Sequence, residues 1–144
     1  MADQTPPNDP AVQTPAPAPA APAAPVTPAM SEKEIADGKV FAILCYAINF
    51  VGLPFWLVPL IMRNNDFSLY HSKQCLIMWL IGVAASVIAI IPCVGWVIAI
   101  VAILGLLVFN VMGLINAINA KAKPLPLIGV YAEKWFEGLR KVPA

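Results

Sequence analysis

Charged side chains are scarce in this 144-residue chain: Asp, Glu, Lys and Arg make up 12% of it, about half the share of an ordinary soluble domain. So few charges cannot cover a water-facing globule. The formal net charge of +1 also excludes the basic surface that nucleic-acid binding requires, so no nucleic-acid partner is expected. Histidine occurs once, as His71, and the three cysteines, Cys45, Cys75 and Cys93, are an odd number spread through apolar sequence. A disulfide scaffold shows an even, dense set, so these read as small apolar side chains. His71 and Cys75 supply two metal ligands where a zinc centre uses three or four, and neither a metal nor another cofactor is expected. Paired carboxylates, a nucleophile with a base at helical spacing and a glycine-rich phosphate loop are missing as well. The chain therefore offers no catalytic residues and is not expected to be an enzyme.

What is abundant is apolar surface: 60% of the residues are hydrophobic and the mean hydropathy is +0.77. Two runs free of charge, Leu76 to Ile91 and Val97 to Phe109, meet at Ile91-Pro92-Cys93-Val94-Gly95-Trp96. Extended by its flanks, each approaches the roughly 20 residues that a helix needs to cross a hydrocarbon core. The pair predicts a transmembrane hairpin, with spans near 67–91 and 94–119. Lipid is the expected surroundings of most of residues 31–144.

Residues 1–30 differ in kind, holding nine of the fifteen prolines and nine alanines. Proline fixes φ and removes donors, so a disordered, partly polyproline II spacer is expected there. It has neither the basic start nor the apolar core of a signal peptide, and the first apolar run is expected to act as an uncleaved signal anchor. Ser31-Glu32-Lys33-Glu34 has capping-box spacing. The run that follows, 40–62, is long enough to span but contains Gly52, Pro54 and Pro59, which predict a break near Phe50 to Leu53. Two topologies remain open: one kinked crossing, or a re-entrant pair that enters and returns on the same side. Asn65 or Asp66 is placed to cap the next helix, whose first two turns, Phe67 to Gln74, read as a polar, aromatic stretch at the membrane surface. Beyond Lys121 and Lys123, residues 128–141 place Tyr131, Trp135 and Leu139 four apart, the pattern of an interfacial amphipathic helix.

Lysine and arginine are absent from the turn at Pro92 to Gly95 but present at Arg63, Lys73, Lys121, Lys123, Lys134, Arg140 and Lys141. By the positive-inside rule the turn faces outward and the C-terminus is cytoplasmic. Two amides lie within apolar runs. Asn49 falls roughly 14 Å into the first and Asn110 sits deep in the third. They read as interhelical glue, or as the polar lining of a permeation path. Small residues recur at four-residue spacing in Gly82 and Ser86, Gly95 and Ala99, and Gly113 and Ala117, which lets helices approach closely within the chain or between copies.

The stretches Phe67-Ser68-Leu69-Tyr70-His71-Ser72-Lys73-Gln74-Cys75-Leu76, Ile91-Pro92-Cys93-Val94-Gly95-Trp96 and Leu125-Pro126-Leu127-Ile128-Gly129 resemble a bacterial family of small membrane proteins. That family is grouped with the twenty-kilodalton subunit of the chloroplast inner-envelope import translocon and includes the magnetosome protein MamF and its relatives. The family pattern of an aromatic, His, a small residue, Lys and Gln is matched by Tyr70, His71, Ser72, Lys73 and Gln74, with Cys75 a mild departure. The likeness covers roughly residues 35–135. The translocon relative implies an assembly or protein-conducting role. The MamF relatives imply a tie to magnetite crystal growth, for which the chain has no acidic, mineral-facing loop.

The expected fold is an all-α membrane protein with about three membrane segments and a C-terminal interfacial helix. The expected function is that of a non-enzymatic integral protein of the bacterial inner membrane, a scaffold or assembly factor acting through helix contacts, with a small channel or translocation subunit as the alternative. Tyr70, His71, Lys73 and Gln74 are expected to anchor α-helix and tail at the membrane boundary, with His71 a possible pH-sensitive element. The expected partners are the lipid bilayer and other membrane proteins or copies of the chain.

Overall fold

The computed structural model describes residues 30–143. The proline- and alanine-rich spacer lies outside the described residues, apart from Met30. Five helices follow: α1 (Glu32–Asn49), α2 (Leu57–Met62), α3 (Asp66–Ile88), α4 (Val94–Ile118) and α5 (Ile128–Trp135). The described residues are all-helical.

Local chemistry sets these boundaries. Ser31 caps α1 by accepting from the Glu34 amide at 3.3 Å, satisfying one of the first-turn donors. The Glu34 carboxylate does not close the box but pairs with Lys141. α1 stops at Asn49, and the chain turns through Phe50 to Gly52, with Gly52 at φ 79°. Pro54 bars a continuing helix at this point. Pro59 is tolerated in α2 because it stands in the first turn, where an amide proton has no intrahelical acceptor. The expected segment 40–62 is thus replaced by a helix that begins at Glu32, a turn, and a short second helix.

Asn65 caps α3, accepting from the Ser68 amide at 2.9 Å while its Nδ2 donates to the Glu34 carbonyl at 2.7 Å. The start of α3 is thereby tied to the start of α1. Further along, Cys45 meets Ser72, and Tyr46 meets His71 and Gln74. α1 and α3 therefore run parallel, and the segment through α2 brings the chain back to the end where it began. α4 runs the other way: Gly82 faces Leu106, and Gly113 faces Tyr46. All nine Lys and Arg residues lie toward the end where α1 and α3 start and α4 finishes.

One turn is used twice. In Pro92-Cys93-Val94 and in Pro126-Leu127-Ile128 the central residue has φ 66°, and the third residue's amide donates to the proline carbonyl at 2.9 and 2.8 Å. These are γ-turns with positive φ, a rare and strained form. Each opens a helix without a side-chain cap. The next residue is glycine in both: a Cβ on Gly95 would strike the Ile88 carbonyl, and one on Gly129 would strike Pro124. The shared hydrophobic-Pro-x-β-branched-Gly sequence follows from that crowding.

α3 and α4 are long and apolar enough to cross a membrane, at roughly 34 and 37 Å by the helical rise. α4 turns its large side chains outward, with Val97 and Val101 more than 60% exposed, and buries Gly95, Ala99, Asn110, Gly113 and Ala117. Small and polar residues inside with aliphatic residues outside is the pattern of a helix solvated by lipid. α5 ends at Trp135 and the chain turns at Phe136, whose carbonyl accepts from the Leu139 amide at 3.0 Å. Leu139 therefore does not continue the face of Tyr131 and Trp135, because the helix expected over 128–141 stops six residues earlier.

Candidate functional site

The first turns of α3 do not lie open at a surface. Phe67 to Cys75 are all buried, covered by α1 on one side and by α5 and the C-terminal segment on the other. Helical spacing sorts them into two faces. One carries Phe67, His71 and Gln74 against α1. The other carries Asp66, Tyr70 and Lys73 toward α5.

On the α1 face, the Tyr46 hydroxyl lies 3.1 Å from Nδ1 of His71 and 3.1 Å from Oε1 of Gln74. Gln74 Oε1 only accepts, so the single hydroxyl proton goes to it, and His71 must carry its proton on Nδ1 and donate to the tyrosine oxygen. Gln74 Nε2 in turn donates to the Lys123 carbonyl at 3.5 Å. The relay joins α3, α1 and the segment after α4. His71 Nε2 forms no hydrogen bond of standard geometry among the described residues, the Lys121 backbone being the polar group beside the ring. Tyr46, Phe67 and Tyr70 surround the imidazole with centroids 4.7 to 5.6 Å away. Cys45 Sγ and Ser72 Oγ approach to 3.3 Å, and Ser72 also donates to the Ser68 carbonyl at 2.7 Å. No three metal-ligating side chains converge among the described residues.

On the opposite face, Lys73 is 6% exposed and lines a cavity of about 780 Å³ shared with α5. A second, smaller groove of about 370 Å³ lies on the outer side, halfway along the bundle. It brings together Asn49, Gly82, Ser86 and Asn110 with apolar neighbours of α3 and α4. Asn110 is 5% exposed and its Oδ1 has no partner among the described residues. Ser86 spends its hydroxyl on the Gly82 carbonyl at 2.9 Å. The other small pairs point inward: Gly95 packs at the α3–α4 turn, Gly113 admits Tyr46, and Ala99 and Ala117 are buried.

Tyr46 and Glu133 are the site residues that sequence reasoning missed. Tyr46 carries the one hydroxyl-bearing aromatic of the first apolar run, a signal in retrospect, because a buried tyrosine needs a partner. Glu133 had no such signal, since an acidic residue in a short polar helix is ordinarily solvated.

No protein-family model matches the chain, and no solved structure does either. Among curated proteins, the chain is 31% identical over 89 residues to the magnetosome protein MmsF of Paramagnetospirillum magneticum, covering 61% of this chain and 82% of MmsF. The magnetosome protein MamF of the same organism is 30% identical over 90 residues, 61% of this chain and 79% of MamF. A UPF0132 membrane protein of Methanocaldococcus jannaschii is 28% identical over 107 residues, 73% of this chain and 74% of the relative. None of these names is that of an enzyme. With apolar spans, buried motif and relatives in agreement, this chain belongs to the MamF-like family of small membrane proteins.

Proposed function

We propose that the chain is a scaffold or assembly factor of the cytoplasmic membrane, working through helix contacts and without chemistry of its own. The observation that carries this reading is the unpartnered Asn110 amide in a lipid-facing groove. A stranded amide oxygen in a dry setting costs about 1–3 kcal/mol, and water is scarce at that depth. A donor on a neighbouring membrane helix, from another protein or a second copy, relieves the cost, and Gly82 lets that helix come close. His71 and Gln74 of the motif meanwhile are occupied in holding the bundle together.

In this reading α1 and α2 form a re-entrant pair, α3 and α4 cross, and both termini are cytoplasmic. The return of the chain to Asn65 beside Glu34 supports the re-entrant arrangement, and nine cations at one end support the orientation by the positive-inside rule. Reporters fused ahead of Met30 and after Ala144 should both resist protease in sealed cells.

A photo-crosslinker placed at Leu107, inside the groove, tests the scaffold. It should give a discrete adduct in native membranes that Val108, about a third of a turn round α4 and outside the groove, does not, and Asn110→Leu should abolish it at unchanged protein level. Equal labelling at both positions overturns the reading. Solute flux through liposomes that disappears with Asn110→Leu would replace the scaffold by the channel.

A further inference from the structure

The cavity between α3 and α5 is a separate matter from the groove and does not depend on the scaffold reading. Its volume, about 780 Å³, falls in the range of small-molecule sites, roughly 300–1,000 Å³. Its charged groups are not all accounted for by one another. Arg140 pairs with Glu137 at 3.5 Å and Lys141 pairs with Glu34. Lys73, whose side chain packs along the cavity wall at 6% exposure, forms no hydrogen bond or ion pair among the described residues, and no carboxylate comes within the 4 Å of an ion pair. Glu133 lines the same cavity from α5, and its Oε1 is buried without a partner. An ammonium on a buried lysine stem and a carboxylate with one buried oxygen, each unpaired and lining one cavity without reaching ion-pair distance, are complementary to a molecule that carries both signs.

The surroundings narrow the choice. The cavity lies at the cationic end of two membrane-spanning helices. Beside it α5 exposes Val130, Tyr131 and Trp135, the two rings stacked edge to face at 6.0 Å, as aromatic side chains stand at a headgroup boundary. Polar floor and apolar rim match a lipid: charges within, acyl chains along α5. We infer that this cavity holds the headgroup of an ethanolamine phospholipid, its phosphate on Lys73 and its ammonium on Glu133. The primary ammonium distinguishes this ligand from a choline lipid, which has no proton to donate to the carboxylate, and from a glycerol lipid, which has no cation.

Native mass spectrometry of the full chain released from nanodiscs of equal ethanolamine, choline and glycerol phospholipid tests the assignment. The wild type should retain the ethanolamine lipid over each of the others by on the order of tenfold, the worth of one charge-assisted hydrogen bond. Glu133→Gln should remove the preference over choline lipid, and Lys73→Met should lower retention of every phospholipid. Glu133 is partly exposed and Glu133→Gln keeps its size while removing the charge, so this variant folds even where the Lys73 variant does not. Soluble phosphoethanolamine in excess should fail to displace the lipid, whereas displacement would assign the cavity to a free zwitterion instead. Equal retention of the three lipids by the wild type, or an undiminished preference in Glu133→Gln, overturns the inference.

Discussion

Tyr46→Phe removes one oxygen from the interior and leaves the ring, so the packing of Gly113 against it is kept. Two hydrogen bonds go, those to His71 and Gln74. With its proton moved to Nε2, His71 would face the Lys121 backbone, where no hydrogen bond of standard geometry is formed; the two bonds through the tyrosine oxygen are lost in either tautomer. In soluble proteins each stranded group costs about 1–3 kcal/mol, and between membrane helices the bond itself averages about 0.6 and reaches about 1.7 kcal/mol. Two bonds at the membrane figures give a loss of about 1–3 kcal/mol. Unfolding by a denaturing detergent in mixed micelles, followed by circular dichroism, measures it. Gln74→Leu should then cost less in the Tyr46→Phe background than in the wild type, by about one such bond. A Tyr46→Phe protein within about 0.5 kcal/mol of the wild type, with no coupling to Gln74, would refute the relay.

Glycine substitutions should separate sharply: Gly113→Ala drives a methyl into the Tyr46 ring, whereas a Cβ on Gly105 meets nothing within 4 Å. The first should destabilise by about 1–3 kcal/mol and the second should be neutral or gain up to about 1 kcal/mol from helix propensity, both read by the same titration. Asn65→Ala loses the α3 cap and the bond to Glu34 together and should cost about 2 kcal/mol or more, while Asn65→Asp keeps the cap alone and should recover part of it. The Glu34 carboxylate holds the Lys141 ammonium above its ordinary pKa of 10.5, so the tether is complete below that pH and is lost as pH rises through the raised value. A spin label at Pro143 should gain mobility on that alkaline side, and at every pH in Lys141→Met; a label equally mobile in the wild type at neutral pH would dismiss the tether.

Much of the architecture was legible because the bilayer imposes a simple code. The charge-free runs meeting at Pro92 mark α3 and α4, and Ser31 and Asn65 announce their caps by residue type alone. The fate of residues 40–62 was not legible. Pro54 and Gly52 show that the helix breaks, but the direction of the chain after the break depends on Asn65 reaching the Glu34 carbonyl, a contact between residues 31 apart. The same limit applies to the motif. Its polarity suggested a surface, yet a polar residue at a helix start is buried as readily as exposed once Tyr46 and the Lys123 carbonyl satisfy it. Glu133 and Lys73 come together only through the turn at Leu127, whose backbone conformation is one that leucine rarely adopts.

The first two turns of α3 therefore do two jobs on two faces, and the faces differ in whether their groups are satisfied. Toward α1, the donors and acceptors of Tyr46, His71 and Gln74 find one another, leaving only His71 Nε2 without a formed bond. Toward α5, Lys73 and Glu133 face each other unpaired. A chain selected for stability alone would close the second gap, since an apolar residue at position 73 would fill the same wall without an ammonium to desolvate. Substitutions within the same five-residue motif should consequently separate by readout: changes at His71 and Gln74 in the unfolding midpoint, changes at Lys73 in what the folded protein retains from the bilayer.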